Sequence, residues 1–172
     1  LGELARRGRP VKLLMIGGKV GASDPTNQQF ARQVDEIIAR EGVADRVIWT
    51  GFLTPEEVSA AFAVADLATL PYADGVSFRR GSLMAALAHG IPIITTVPRV
   101  HLPELLPEEN VMLVPPEQPM ELAEAVARVT DHAGLRARLG EGARRLSQRF
   151  AWERIAADTL ALYESLLAGG RR

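Results

Sequence analysis

The sequence predicts an α/β fold in which helices cover both faces of a parallel sheet, a three-layer α/β/α architecture. Two observations predict it. Short and nearly continuous apolar runs recur along the chain, as expected of strands that are buried on both faces, and each is followed by a segment with helical spacing of apolar residues. Strands of this length that alternate with helices are typical of parallel sheets. The runs are residues 11–16, 47–50, 67–70, 91–96 and 111–114.

The chain begins without a methionine, and residues 1–8 have the pattern of a helix that ends at a glycine. We expect them to be the remnant of a helix that belongs to a longer protein. The first full helix is predicted to begin at Asp24, an N-cap, with Pro25 at the first helical position, and to end at Gly42. Its core-facing residues are predicted to be Phe30, Val34, Ile37 and Ile38.

The second strand leads into a strong helix start. Thr54, Pro55 and Glu57 combine an N-cap, a proline at the first helical position and the glutamate of a capping box. A short apolar helix is then predicted over residues 82–88, with Gly90 as its C-cap. The helix that starts at Pro55 has a predicted core face of Val58, Ala61, Phe62 and Ala65.

Only helices follow the fifth strand. The first opens at Pro119, and a second covers residues 134–148. The last, residues 151–168, is predicted to be an amphipathic clamp that packs back on the domain, so that residues 1–172 form one domain. The inner stripe of the Pro119 helix is Leu122, Ala125, Val126 and Val129, and that of the clamp is Ile155, Leu160, Tyr163 and Leu167.

Composition restricts the possible functions. The 172 residues are 47% hydrophobic and carry a net charge of -1, which favours a globular domain and disfavours a nucleic-acid partner. The absence of cysteine excludes disulfides, thiolate zinc sites and cysteine nucleophiles. Since no apolar run approaches the ~18 residues of a membrane span, we expect a cytoplasmic protein, with peripheral membrane contact left open.

Ligands of open parallel sheets bind beyond the carboxyl ends of the strands, where helix N-termini present free N–H groups. After the first strand, Gly17, Gly18 and Lys19 form either a phosphate-binding turn or a simple turn, since they match no complete phosphate motif. After the third strand, Arg79 and Arg80 precede a helix, where cations are unfavourable. Either an anion binds there, or a carboxylate such as Asp74 pairs with them, or they are simply solvated.

The three histidines, His89, His101 and His132, are too scattered in sequence for a metal site or a catalytic pair, and we expect them at the surface.

Six segments, taken together, resemble the C-terminal, donor-binding domain of the GT-B glycosyltransferases of family 4, also called group 1. The most recognisable is ALAHGIPII at residues 86–94, which is similar to the family's A-M-A-x-G-x-P-V-V. The others lie at residues 11–18, 46–53, 65–71, 110–116 and 150–153.

The resemblance implies a Rossmann-like GT-B half that binds a UDP-, GDP- or ADP-sugar and belongs to a retaining, hexosyltransferase-like enzyme. A sugar, lipid or other acceptor would be held by an N-terminal domain that this chain lacks, so the chain alone is expected to be inactive. No metal or cofactor is implied, and no catalytic residue is carried over. The donor-binding candidates are Gly17, Gly18, Lys19, Gly51, Ser77, Phe78, Arg79, Arg80, Gly81, Ser82 and Ala85.

The chain departs from the family at the two glutamates that lie eight positions apart, which fall on Ser77 and Ala85. Neither residue can supply a carboxylate. The backbone N–H groups from residue 78 to residue 82 would still face the donor, and Arg79 and Arg80 could compensate for the lost side chains. The alternatives are a nucleotide-sugar epimerase of the same architecture and a binding or scaffold module without catalysis.

The resemblance also predicts a gap in the sheet. In a Rossmann-like order the first strand, which would precede residue 1, lies between the strands at residues 11–16 and 91–96. Unpaired backbone groups of buried strands are costly. We therefore expect the gap to be filled by an upstream segment or by a second copy of the chain, which makes a homodimer possible.

Overall fold

The chain folds into alternating strands and helices. The computed structural model describes residues 1–18 and 25–169, and both Lys19 and the predicted cap Asp24 lie outside the described residues. The strands are β1 (Leu13–Met15), β2 (Val47–Trp49), β3 (Ala68–Leu70), β4 (Ile93–Thr96) and β5 (Met112–Val114). The helices are α1 (Gly2–Arg6), α2 (Pro25–Arg40), α3 (Pro55–Val64), α4 (Gly81–His89), α5 (Pro119–Asp131), α6 (Ala133–Ser147) and α7 (Trp152–Gly169).

All described strand pairs are parallel, and the strands form two sheets, β1-β2 and β3-β4-β5. The predicted α/β, Rossmann-like class is therefore confirmed. The prediction that the missing strand lies beside the strand at residues 91–96 is wrong, because β4 already has a neighbour on each side. Ile94 lies opposite Thr69 of β3 on one side and Met112 of β5 on the other. Within the described residues, the unpaired edges of this sheet belong to β3 and β5, so a strand that joined the two sheets would lie beside one of them.

β4 supplies both faces of the core. Ile93 and Ile94 are fully buried and point to opposite sides, as successive residues of a strand do. The cluster around Ile94 includes Leu4, Met112, Val129 and Leu139. The cluster around Ile93 includes Leu83, Leu87, Val111 and Ala143.

Two of the predicted helix caps, those of α3 and α4, are confirmed. Thr54 Oγ1 accepts a hydrogen bond from the Glu57 N–H at 3.3 Å, and Glu57 Oε2 accepts one from the Thr54 N–H at 2.8 Å. The capping box is thus complete in both directions, and it fixes the start of α3. Gly90 caps α4 in the left-handed conformation, with φ at 62°.

Two predicted apolar faces are not buried. Phe30 and Ile37 of α2 are 66% and 47% exposed, because a two-stranded sheet offers little surface for a helix to cover. α7 is amphipathic, but it is exposed along its described length, with Trp152 80% and Leu167 73% exposed. The prediction that it packs back on the domain is wrong, since amphipathicity indicates that a helix needs an apolar partner without identifying that partner.

Within the described part of the chain, no helix is both long and apolar enough to cross a membrane.

Candidate functional site

Two side chains of β4 form hydrogen bonds with the backbone at the carboxyl end of β3. Thr95 Oγ1 donates a hydrogen bond to the Leu70 carbonyl, and Thr96 Oγ1 donates one to the Tyr72 carbonyl, both at 2.7 Å. Both threonines are buried, so these bonds also satisfy two polar groups of the core. They fix the direction in which the chain leaves β3 and therefore the position of the loop at residues 71–80.

The loop after β3 lies directly against the loop after β4. A Cβ on Gly75, whose φ is 82°, would come within 2.6 Å of the Val97 carbonyl oxygen and 3.0 Å of the Arg99 backbone nitrogen. Only glycine fits such an approach without a backbone shift. The contact brings Arg99, which is exposed, to the same edge as the predicted arginine pair. Arg99 was not predicted as a site residue from the sequence. The only sign of the contact between the two loops in the sequence was Gly75.

The two arginines of the first loop differ in their surroundings. The Arg80 guanidinium forms an ion pair with both carboxylate oxygens of Asp74 and lies 4.8 Å from the centre of the Tyr72 ring. Arg79 is exposed, and within the described residues it has no ion-pair or hydrogen-bond partner. The carboxylate-pairing alternative is therefore correct for Arg80.

α4 begins without a side-chain cap at Arg80, its N-cap residue. The first N–H groups of a helix lack intrahelical acceptors, and Gly81 and Ser82 carry such groups at exposed positions. The Arg80 N–H is an exception, because it donates to the Ser77 carbonyl at 3.2 Å. The expectation that this N–H faces a ligand is wrong.

The remaining candidates in this loop are partly structural. The Phe78 ring packs against Phe150, with centroids 4.8 Å apart, so its side chain belongs to the core. Ser77 and Ala85 are half-buried. The Ala85 carbonyl oxygen lies 2.8 Å from Nδ1 of His89. Neither position supplies a carboxylate.

The glycines after β1 and β2 lie beside each other. Gly17 and Gly51 pair through an isolated antiparallel bridge and have φ values of 117° and 71°. The Gly17 N–H donates to Thr50 Oγ1 at 3.1 Å, so this group is already bonded within the protein. Gly18 lies against the ring of Phe52, which is 90% exposed. The bridge between Gly17 and Gly51 joins the chain after β1 to the chain after β2. Lys19 lies outside the described residues, so the phosphate-binding role of this turn stays a prediction.

His89 is half-buried and stacks on Phe62, with ring centroids 4.7 Å apart, so the expectation of a surface position is wrong for it. His101 and His132 are exposed, as expected. In the described ranges, no group of three or more histidines and carboxylates is arranged to hold a metal ion. Beyond the carboxyl ends of β3 and β4, the described residues thus place the uncapped start of α4 next to Arg79, which is exposed and unpaired among them. This arrangement is suited to binding an anion.

Comparison with known proteins gives a consistent set of relatives. The family model of the group 1 glycosyl transferases matches residues 2–132. An MMP alpha-(1->4)-mannosyltransferase from Mycolicibacterium hassiacum is 34% identical over 78% of this chain and 33% of its own length. A D-inositol 3-phosphate glycosyltransferase from Salinispora tropica is 30% identical over 79% of this chain and 28% of its own length. The chain thus spans about a third of the length of these curated relatives.

Solved structures share the fold over nearly the whole chain. Sucrose-phosphate synthase from Thermosynechococcus elongatus superposes with a TM-score of 0.74 at 28% identity, over 92% of this chain and 39% of that protein. Anabaena HepE in complex with UDP superposes with a TM-score of 0.76 at 20% identity, over 98% of this chain and 44% of that protein.

Proposed function

The chain belongs to the group 1 glycosyltransferases, and from that premise we propose that it is the donor-binding domain of a longer, retaining glycosyltransferase of family 4. The donor is a sugar carried on a nucleoside diphosphate, UDP, GDP or ADP. The acceptor, a sugar, a lipid or another hydroxyl compound, is bound by a part of the protein outside this chain. The site needs no metal ion or cofactor of its own.

The observation that carries the proposal is the uncapped start of α4 next to Arg79 and Arg80. A cation at a helix N-terminus is repelled by the helix dipole, whereas an anion bound there is attracted by the dipole, the free N–H groups and the cation together. A diphosphate satisfies all three. The proposal is further supported by HepE, which has been solved in complex with UDP and with UDP-glucose and whose fold this chain shares.

The proposed chemistry assigns the domain a defined part of the reaction. The bond between the anomeric carbon and the β-phosphate oxygen breaks, the acceptor oxygen bonds to that carbon, and the acceptor proton is released. Negative charge then accumulates on the leaving diphosphate. Preorganised N–H donors and cations stabilise such charge most strongly when it develops, and these are the groups that the edge beside α4 presents.

The test is a calorimetric or NMR titration of the 172-residue chain with UDP, GDP and ADP, with the matching monophosphates as controls. We expect one diphosphate to bind at least about tenfold more tightly than its monophosphate, since the second phosphate adds a charge-assisted contact. Arg128→Ala, which removes an exposed arginine that pairs with Glu108, is the control variant and should leave binding unchanged. Absence of binding to all three diphosphates at millimolar concentration would overturn the proposal.

A non-catalytic binding module is the second candidate, and the missing carboxylates at Ser77 and Ala85 favour it. The two candidates differ in turnover rather than in binding. A longer protein that contains this domain and binds the nucleotide-sugar, yet releases no sugar to acceptor or water, would support the binding module. Transfer of the sugar to an acceptor would support the enzyme.

A further inference from the structure

The two adjacent arginines have different roles, and this assignment rests on the function proposed above. We infer that Arg79 supplies the charge that meets the diphosphate, and that Arg80 is a positioning residue, held in place by Asp74 and Tyr72, which does not contact the donor.

Arg80 is held on several sides. Its guanidinium binds both carboxylate oxygens of Asp74 and packs over the ring of Tyr72. The Tyr72 hydroxyl lies 2.6 Å from Ser82 Oγ, in the first turn of α4. The Arg80 backbone is held as well, because its N–H donates to the Ser77 carbonyl and its own carbonyl accepts from the Met84 N–H at 3.1 Å. Arg80 thus joins the start of the loop to the start of the helix.

This arrangement makes Arg80 a poor ligand for a diphosphate. To reach one, it would have to leave Asp74 and the aromatic face, and the abandoned carboxylate would then lie beside the incoming phosphates. One guanidinium nitrogen contacts both carboxylate oxygens and both side chains are partly exposed, so the ion pair by itself is of modest strength. Repulsion between the abandoned carboxylate and the phosphates is the larger part of the cost of breaking it. The charges of Asp74 and Arg80 therefore cancel within the protein.

Arg79 can bind a diphosphate without breaking any such contact. It is exposed and has no ion-pair or hydrogen-bond partner in the part of the chain that the structure describes. After Asp74 and Arg80 neutralise each other, it carries the remaining charge of this loop, one residue before the uncapped start of α4. The pair held by Asp74 keeps the backbone of the loop in the conformation that presents Arg79 and the first N–H groups of the helix together.

The experiment compares the affinity for the diphosphate that the wild-type chain binds best, among UDP, GDP and ADP, and the dependence of that affinity on salt. Arg79→Ala should weaken binding by about tenfold or more and should flatten the salt dependence, because one charge–phosphate contact is lost. Arg79→Lys, which retains the charge, should keep most of the salt dependence.

Arg80→Ala should also weaken binding, through a loosened loop and an unneutralised Asp74. Because that variant also changes the local charge, the salt dependence is measured in the charge-balanced variant Asp74→Asn with Arg80→Gln, which should leave it at its wild-type value. The exchanged pair Asp74→Arg with Arg80→Asp restores an ion pair at the same place. If Arg80 positions the loop, the exchange should recover most of the affinity that Arg80→Ala loses. If Arg80 contacts the diphosphate, the exchange puts a carboxylate against the phosphates and should bind more weakly than Arg80→Ala.

The outcomes separate the two proposals. A wild-type chain that binds none of the three diphosphates overturns the proposed function. Binding by the wild type, together with unchanged affinity in Arg79→Ala or a flattened salt dependence in the charge-balanced variant of Asp74 and Arg80, leaves the proposed function standing and overturns the division between the arginines. Arg128→Ala serves again as the control for loss of an exposed, paired arginine far along the chain.

Discussion

Strands β1 and β4 have the same type of pairing, yet their burial differs. Each is short and parallel to its neighbours. All four residues of β4 are buried, whereas all three residues of β1 are half-buried. β4 is hydrogen-bonded on both edges, and β1 is paired on one edge, with β2, among the described strands. The burial of a strand is therefore determined by the number of its neighbours as well as by its own residues.

The same difference extends to the two regions around these strands. The amino-terminal region, residues 1–54, contributes only Leu4 and Val43 to the described set of buried apolar residues, and the central region, residues 55–150, contributes all the others. Charged contacts bind the amino-terminal region to the rest. Arg7 pairs with Glu124 at 2.7 Å, and Arg9 pairs with Asp131, both acids lying on α5.

The largest expected effect compares equivalent truncations in the two strands. Ile94→Ala removes a fully buried side chain from the centre of β4 and should lower the free energy of unfolding by about 3–4 kcal/mol. Leu14→Ala, in half-buried β1, should cost about 1 kcal/mol, because the site can relax and water already reaches it. Guanidinium unfolding followed by far-UV circular dichroism measures both. Equal losses would contradict the comparison.

A smaller effect is expected where a single methyl group is added. In α6, a Cβ on Gly142 would lie 2.0 Å from the Glu109 carbonyl oxygen, which is backbone and cannot move aside cheaply. Gly142→Ala should therefore destabilise the protein by about 1–3 kcal/mol, although alanine is normally the better helix former. The measurement is again the free energy of unfolding.

Two further glycines serve as matched controls for that substitution. Gly134 lies in the same helix, and a methyl group added there would meet nothing within 4 Å, so Gly134→Ala should stabilise slightly, by about 0.5 kcal/mol. In the amino-terminal region, the three atoms nearest to a methyl on Gly2 all belong to the side chain of Glu41, which can turn away at the cost of its exposed ion pair with Arg6. A cost for Gly2→Ala as large as that for Gly142→Ala would show that the two regions are equally tightly packed.

Features that depend on neighbouring residues in the chain were predictable from the sequence. The capping box of Thr54 and Glu57 needs only four consecutive positions, and the structure contains it as predicted. The apolar runs likewise predicted all five strands, because burial on both faces requires them. Predictions failed where the answer depends on which elements become neighbours: the central position of β4, the exposed face of α2 and the isolation of α7.

The candidate site divides in the same way. Its location at the start of α4 was predictable, since a helix start after a parallel strand is recognisable locally. The choice of partner was not, because Asp74 could have paired with either arginine, and only the geometry of the loop selects Arg80. Arg99 reaches the same edge through the close approach of Gly75, a contact between loops that are more than twenty residues apart.

The smallest expected effect concerns the charged contacts of the amino-terminal region. Hydrogen bonds from Arg7 lower the pKa of Glu3 and of Glu124, and a hydrogen bond from Arg9 lowers the pKa of Asp131. A carboxylate whose folded pKa is depressed adds stability that is complete above its ordinary pKa and is lost as the pH falls through the lower folded value. Acid should therefore loosen the amino-terminal region first, because little apolar burial holds it.

Hydrogen exchange of backbone amides at about pH 6 and about pH 3, on either side of the ordinary carboxylate pKa and corrected for the intrinsic rates, measures this loosening region by region. Amides of α1 and β1 should lose protection in acid, while those of β4 keep theirs. The central region contains its own control, because a hydrogen bond from Arg128 also lowers the pKa of Glu108, in a region whose strand β4 is fully buried. Glu124→Gln removes the carboxylate at every pH, so it should loosen α1 already near neutrality and reduce the further change in acid. Equal loss of protection in β1 and β4 would mean that the two regions unfold as one unit, and the difference in their packing would then have no consequence for stability.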